Sequence, residues 1–590
     1  MTVLPRSGHL TGEDRDDLDG RRFFPATMGA VPLVLLQALA LLLPALLVLY
    51  YASHAGSLPD YDYWLTVWQM LGDEGFSRDL SKWFKPENEH WVVITKGIYA
   101  LNILLTGGHN VGLSVTAFLM ALAQTLLLVF LARRTVGGGG LASVFPVLIV
   151  SAFLFTPQAV HNWFMGMSGV AWISANLFSL TAIFGLYRLA EGGCTGWLGV
   201  SLTAALIGCL TYSTPLAVWP ALIVGGLLLR LRPWQQLAYL GAALAVYTIY
   251  LVSYDRPEFH PELQRSIGAL LQYVLVFLGA VAADTKTGAT VLGALGILAS
   301  GFMAALFSLG DRPRFRAAIP WLMIQAYALA NALMAAISRS GFGVEQALSS
   351  RYASLPALFW MSLFVLMLLT AKASRTERRG AFWLVGALIG FGGLAISMHL
   401  ASYDQAQQYL VRAEKKKLAE AAWYTGADDR KLFIDTIAPS GVVVHLMNPV
   451  VKARLANIGH VPFDGRFDAC PSLGEVVVPD RAIANQPRTQ VPGAIEEIEE
   501  RQESYVRIGG WLSTHRAPIA CIALVNEDGV VRGFAASGLT RVVSVPKEDR
   551  DRLPWKGYAL PNATDRSLAA ALLMEENGPW VLLHDPVSLQ

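Results

Sequence analysis

Apolar residues run in blocks along the first 400 positions, at 28–52, 111–132, 140–156, 169–189, 196–213, 215–231, 234–252, 288–308, 317–337, 353–372 and 380–400. A bilayer's hydrocarbon core is crossed by about 20 residues of helix, so the pattern predicts about eleven spans. Two more apolar stretches, 91–106 and 266–283, carry polar residues: Lys96, Tyr99 and Asn102 in the first, Gln272 and Asp284 at the margin of the second. Amphipathic helices at the outer interface fit these better than spans do. After residue 400 the texture changes. Residues 403–422 read as an amphipathic helix with a Lys415–Lys417 run, and 430–460 as mixed helix and loop. Residues 503–585 alternate in short apolar stretches broken by turns such as Glu527-Asp528-Gly529, the pattern of a small β-sandwich. The expected fold is an α-helical polytopic membrane protein with a C-terminal extracytoplasmic α+β or β-sandwich domain. Its parts are an N-terminal tail at 1–27, a transmembrane domain at 28–400 with a long outer loop at 53–110, a helical linker region at 401–480 and a β-rich domain at 481–590.

Short arginine and lysine loops orient this arrangement. Arg21 with Arg22, Arg133 with Arg134, Arg230 with Arg232, the Arg312–Arg316 cluster, and Lys372 with Arg375, Arg378 and Arg379 fall on one side. The positive-inside rule makes that side the cytoplasm, with the N-terminus inside and the tail beyond 400 outside. The first apolar run is too long for a signal peptide and no small-residue cleavage pattern follows it, so it reads as a retained span. Of 590 residues 54% are hydrophobic and 15% charged, and the formal charge is only +2, with no basic stripe to suggest a nucleic-acid partner. Cys470 and Cys521 lie in the tail, where an oxidising compartment permits a disulfide; two free thiols fit the sequence equally well.

The chain has no P-loop, dinucleotide fingerprint, cysteine metal ribbon or HExxH. Its chemistry lies in ionisable residues on the outer loops. Asp62, set between Tyr61 and Tyr63 with Trp64 after it, sits in a partly apolar setting that raises a carboxylate's basicity and suits a general base. Asp60 lies close by. The same two acids equally suit the N-cap of the helix that follows. Asn88, Glu89 and His90, next to Glu87, repeat the motif before the next helix and suit sugar hydroxyls; they also suit a solvated helix N-terminus. Asn162 and Trp163 beside His161 offer a stacking ring with polar groups, or an interfacial anchor. Arg351 with Tyr352 stands where the loop containing Arg339 re-enters the membrane, placed to clamp a phosphate bidentately or to snorkel to headgroups. Asp60, Asp62 and Glu89 also offer hard oxygen ligands to a divalent cation, at a spacing specific to none.

A long first outer loop with an acidic residue soon after the first span, interfacial helices flanking that loop, about eleven spans and an extracytoplasmic C-terminal domain resemble the GT-C superfamily of integral-membrane glycosyltransferases. More narrowly, Tyr61-Asp62-Tyr63-Trp64, Asn88-Glu89-His90, Asn162-Trp163 with Gly166, and the loop SRSGFGVEQALSSRY from 338 to 352, taken in order, resemble a set of bacterial membrane proteins with an acidic residue before a Trp, an NEH tripeptide, an NWxxG-like loop and an SRY ending. The resemblance covers roughly 28–400. It implies a donor sugar on polyprenyl phosphate in a bacterial plasma membrane, a cell-envelope glycan or lipid acceptor, and inverting transfer. By position it makes Asp62 the base with Asp60 as helper, places Asn88, Glu89, His90, Asn162, Trp163, Arg339 and Tyr352 around the substrates, and gives Arg351 the lipid phosphate. Trp91 after NEH and Ser168-Gly169-Val170 after the NWxxG-like loop depart from the pattern. The β-rich end resembles a carbohydrate-binding module, and a simple structural cap suits it equally. Against these stand a transporter or flippase and a non-catalytic scaffold of polysaccharide assembly. Transport calls for charge near the middle of spans, and here the span centres are nearly free of it.

Overall fold

The computed structural model describes residues 30–137, 140–257, 260–374, 376–446, 448–460, 467, 469–477, 493–502, 504–513, 519–537, 552–573, 580–583 and 586–589. The expected N-terminal tail, with Arg21 and Arg22, lies outside the described residues, as does Arg375.

Among the described residues nine helices are long and apolar enough to cross a bilayer: Val31–Ser53, Asn110–Thr135, Val144–Phe164, Gly166–Ala190, Pro233–Val252, Lys286–Ser308, Arg312–Phe342, Ser354–Ala373 and Glu377–Thr425. Their outward faces are apolar and exposed, as at Leu43, Leu244, Leu298 and Ile389, which in water would be a large unfavourable patch and in lipid is none. The remaining two of the expected eleven, at 196–213 and 215–231, are shorter: Gly196–Cys209 and Thr214–Leu228. A helix of 14 residues reaches only about 21 Å. The pair is short because its connection turns inside the protein. Ser201 Oγ donates to the Ala182 carbonyl and Gly208 lies against Phe178, so the hairpin follows the far half of Gly166–Ala190 and its turn at Tyr212 and Ser213 meets other loops below that helix's end.

Both stretches expected to lie flat are short helices. Val93–Thr106 buries Thr95, Lys96, Tyr99, Asn102 and Ile103 and exposes Leu101, Leu104 and Leu105. That is an interfacial helix with its polar stripe turned inward. Ile267–Gly279 departs from the surface position expected of it: Tyr273, Val274 and Val276–Gly279 are buried in the main core, and Trp360 Nε1 donates to the Leu278 carbonyl. It lies so close to Lys286–Ser308 that a Cβ on Gly279 or Gly293 would strike the backbone of the other helix. Its length of 13 residues falls short of a span.

The last membrane helix does not stop at the bilayer. Thr376 caps its start by accepting from the Arg379 amide, and the helix runs unbroken across residue 400 for 49 residues, to an αL cap at Gly426. Its outer part packs against short helices Arg430–Thr436, Ser440–Leu446 and Pro449–Asn457 and against a β-sheet. The sheet's strands are β1 Gly493–Arg501, β2 Val506–Ser513, β3 Cys521–Asn526, β4 Val531–Ser537, β5 Arg552–Ala559, β6 Ser567–Leu573, β7 Trp580–Leu582 and β8 Val587–Ser588. They form one antiparallel sheet in the order β1-β2-β5-β4-β3-β6-β7, with β8 on β6, where the alternation suggested a two-sheet sandwich. One face, with Val525, Phe534 and Tyr558, packs on the long helix; the other, with Ile508, Leu524, Trp555 and Leu572, encloses a core of its own. That second layer explains why β3 is buried at every position.

Cys470 and Cys521 are bonded, closing a 51-residue separation between the connecting segment and β3. Replacing both with Ser should destabilise the tail by about 2–4 kcal/mol through the freed chain entropy of the unfolded state. Chemical denaturation of the two proteins, followed by near-UV circular dichroism, checks this.

Candidate functional site

One cavity of about 310 Å³ opens where the first long loop, the Tyr212 turn and the SRY turn meet. Asp62, Glu87, Asn88, His90, Tyr99 and Arg351 line it, together with His161, Trp172, Tyr212 and their neighbours.

Asp62 opens the helix Asp62–Met70, whose first turn receives no side-chain cap from Tyr61. Neither aspartate of the PDYDYW segment is therefore spent as an N-cap, and the Asp62 carboxyl is free to face the cavity. Burial holds its pKa above the ordinary aspartate value, while Arg351 and then Arg339 pull it back down. Just before it, Tyr61 has φ 45° and ψ −124°. For an aromatic residue this conformation costs about 1–3 kcal/mol and persists only where the surroundings hold it.

The holding is done by Asp60. This carboxylate has no exposed surface and does not line the cavity: Lys416 Nζ lies 2.6 Å from one oxygen and Arg412 Nη2 3.2 Å from the other. Lys416 also donates to the Leu58 carbonyl, Arg412 lies over the Tyr61 ring with 5.1 Å to its centroid, and the Tyr61 amide donates to the Ile437 carbonyl. The catalytic-helper role expected of Asp60 does not fit a group whose two oxygens both face cations away from the cavity.

The second acidic motif is a tight turn, with the Glu87 and His90 backbones exchanging two hydrogen bonds of 2.9 Å and Asn88 at φ 50°, which asparagine tolerates. Glu87, passed over in favour of its neighbours in the sequence, faces the cavity and accepts from Gln69 Nε2 at 2.7 Å. Burial first, and the Asp62 charge second, push its pKa up to about 7. The signal for it was the periodicity of a turn: in a two-residue connection the flanking Glu87 and His90 point together, while Glu89 points away. Glu89 accordingly leaves the cavity, pairs with Arg339 and faces His260 Nδ1 at 3.5 Å. Arg339 is consumed by that pair and by His260, so neither of these expected substrate ligands is available to a substrate. His90 stays, held by Ser213 Oγ at 2.6 Å and by the Tyr212 ring at 4.0 Å, and burial pulls its pKa down to about 3, keeping it neutral.

Asn162 and Trp163 also stand behind the cavity. Trp163 is a core residue whose indole donates to the Thr156 carbonyl. Asn162 bridges Ser168 Oγ and the Arg351 carbonyl, fixing the backbone of the one arginine on the cavity wall. Tyr352 is buried and serves Arg351 in turn: its OH accepts from Nη2 at 3.1 Å, and the guanidinium lies 5.0 Å from its ring centroid. Among the described residues Arg351 has no carboxylate in ion-pair range, and its buried Nε has no acceptor. Four of the ten expected site residues thus reach the cavity, and the other six support it. Asp60, Asp62 and Glu89 do not converge as ligands for a divalent ion, and the described residues hold no group of three or more His, Cys, Asp or Glu placed to hold a metal.

No family model matches the chain, and no curated protein does. Among solved structures it is similar to ArnT from Cupriavidus metallidurans bound to undecaprenyl phosphate, with TM-score 0.36 and 16% identity over 80% of this chain and 84% of that one.

The raised pKa of Glu87 has a sign. Because the folded state holds this proton more tightly than the unfolded one, its contribution to stability is present below pH 4.5 and is lost as pH rises to about 7. Glu87→Gln should therefore flatten the decline of the melting temperature between pH 4.5 and 7, measured by thermal unfolding in detergent across that range.

Proposed function

We propose that this protein is a membrane glycosyltransferase that moves a sugar from a polyprenyl phosphate to an acceptor hydroxyl. The observation that carries the reading is the pairing inside one cavity of a desolvated carboxylate, Asp62, with a buried guanidinium, Arg351, that has no carboxylate of its own. An arginine left in that state is built for an anion from outside, and a phosphate matches its fork. The residue resemblance to GT-C glycosyltransferases points the same way.

The chemistry asks little of the protein. Asp62 takes the proton from the acceptor hydroxyl as its oxygen bonds to the anomeric carbon. The bond from that carbon to the phosphate oxygen breaks, and polyprenyl phosphate leaves with the electron pair while Arg351 stabilises the charge. Attack opposite the leaving phosphate inverts the anomeric centre. Neutral His90, Asn88 and Glu87 line the space for sugar hydroxyls, and the rings of Trp172 and Tyr212 give a sugar face something to pack on. The Cys470–Cys521 bond supports placing the tail, and the cavity beside it, on the extracytoplasmic side.

The test is transfer of labelled sugar from a panel of polyprenyl-phosphate donors to an envelope-glycan extract, in nanodiscs. Asp62→Asn should lower kcat by about 10²–10⁴-fold with donor binding retained, and Arg351→Gln should lower it by about 10²–10³-fold and weaken donor binding as well. Turnover by Asp62→Asn at the wild-type rate would remove Asp62 as the base.

A further inference from the structure

We infer that the tail side of the long helix Glu377–Thr425 is a positioning element for the reaction, acting through Asp60 to aim Asp62. The inference rests on the reading of Asp62 as the base. Tyr409, Arg412 and Lys416 recur at intervals of three and four, which places them on one face of this helix. Each meets the cavity wall or the segment that carries it. Tyr409 OH lies 2.7 Å from His161 Nδ1, and His161 lines the cavity. Arg412 spans from the Thr436 carbonyl to Asp60 and the Tyr61 ring. Lys416 reaches Asp60 and the Leu58 carbonyl, with its stem against Gly56. A fourth tie comes from the end of the helical linker, where His460 Nε2 lies 3.0 Å from Tyr63 OH.

These contacts surround Asp62 on both sides in sequence while leaving its own carboxyl to the cavity. The segment they hold includes Tyr61, whose backbone adopts a conformation it leaves once released. The Asp60 ion pairs therefore determine where the Asp62 carboxyl sits, and a carboxylate displaced by about 1 Å from its acceptor loses about 100-fold in rate.

Asp60→Asn with Lys416→Met is the decisive variant, because it removes the two buried charges together and leaves only Arg412, whose side chain is 20% exposed, without its carboxylate. Arg412→Gln is the second: Asp60 keeps Lys416, the nearer of its two cations, while the tie to Tyr61 is lost. Two readouts are taken on each: amide hydrogen exchange of residues 58–64, where the Tyr61 amide is bonded to Ile437, and label transfer per folded molecule. The expected result is faster exchange confined to this segment, with kcat down by about 100-fold and the KM for donor little changed. A purely structural role would lower the yield of folded protein and leave kcat per folded molecule intact. Unchanged exchange in the double variant, or a loosened segment with wild-type kcat, overturns the inference. Wild-type protein that moves no label from any donor sinks the glycosyl-transfer reading alone, and the exchange measurement then still decides whether the tail holds the loop.

Discussion

Asp60 is an acidic side chain with no exposed surface, and the placement of the loop that carries Asp62 depends on its meeting Lys416 and Arg412. Taking such groups out of water is costly, and the net worth of a buried pair against an apolar substitute is small. Its value lies in geometry. An aspartate that must be matched by two cations at fixed places on a rigid helix admits one register of loop against helix, and breaking the match costs about 3–5 kcal/mol. That is enough to hold the strained Tyr61 backbone in place. Here the energetics and the candidate chemistry meet: the residue that holds the loop is two positions from the residue that faces the cavity.

A second division of labour runs through the charged groups. Glu89 meets Arg339, and Asp60 meets both Lys416 and Arg412, so these charges find their partners behind the wall. Asp62, Glu87 and Arg351 are left facing the empty space, the first two with raised pKa values and the third without a partner carboxylate. Paired charges build the walls, and the groups left over define what enters. A cavity with two reluctant carboxylates and one guanidinium is close to neutral when Glu87 is protonated, which suits an uncharged sugar bound through a single anionic group.

Most of the membrane architecture was legible because apolar block length is a direct measure of bilayer thickness. Where the reading strayed, tertiary contacts had overridden local pattern. The 196–231 segment reads as two spans because apolar residues dominate both halves, yet its turn is used inside the protein. Ile267–Gly279 looks interfacial by its edges but is packed by two glycines against its neighbour. At the site the expected loops meet at one cavity, while which of their residues line it was less legible. Of Asp60 and Asp62, or Glu87 and Glu89, sequence alone cannot say which faces inward, since a single residue's shift along an irregular loop reverses it. The partners that decide it, Lys416, Arg412 and His260, come from elements far away in the chain.

The short hairpin Gly196–Cys209 and Thr214–Leu228 has a consequence for the surrounding lipid. Lying along the far half of Gly166–Ala190, with Gly208 against Phe178, it turns back at Tyr212, which packs on Trp172 about 9 Å along the helix from Gly166. Its exposed residues, among them Val200, Leu206, Val224 and Leu227, present lipid with an apolar band shorter than the hydrocarbon it must match. Acyl chains answer such mismatch by thinning locally, and headgroups then sink toward the midplane. On this flank such thinning would bring headgroups toward the level of Tyr212, which lines the cavity.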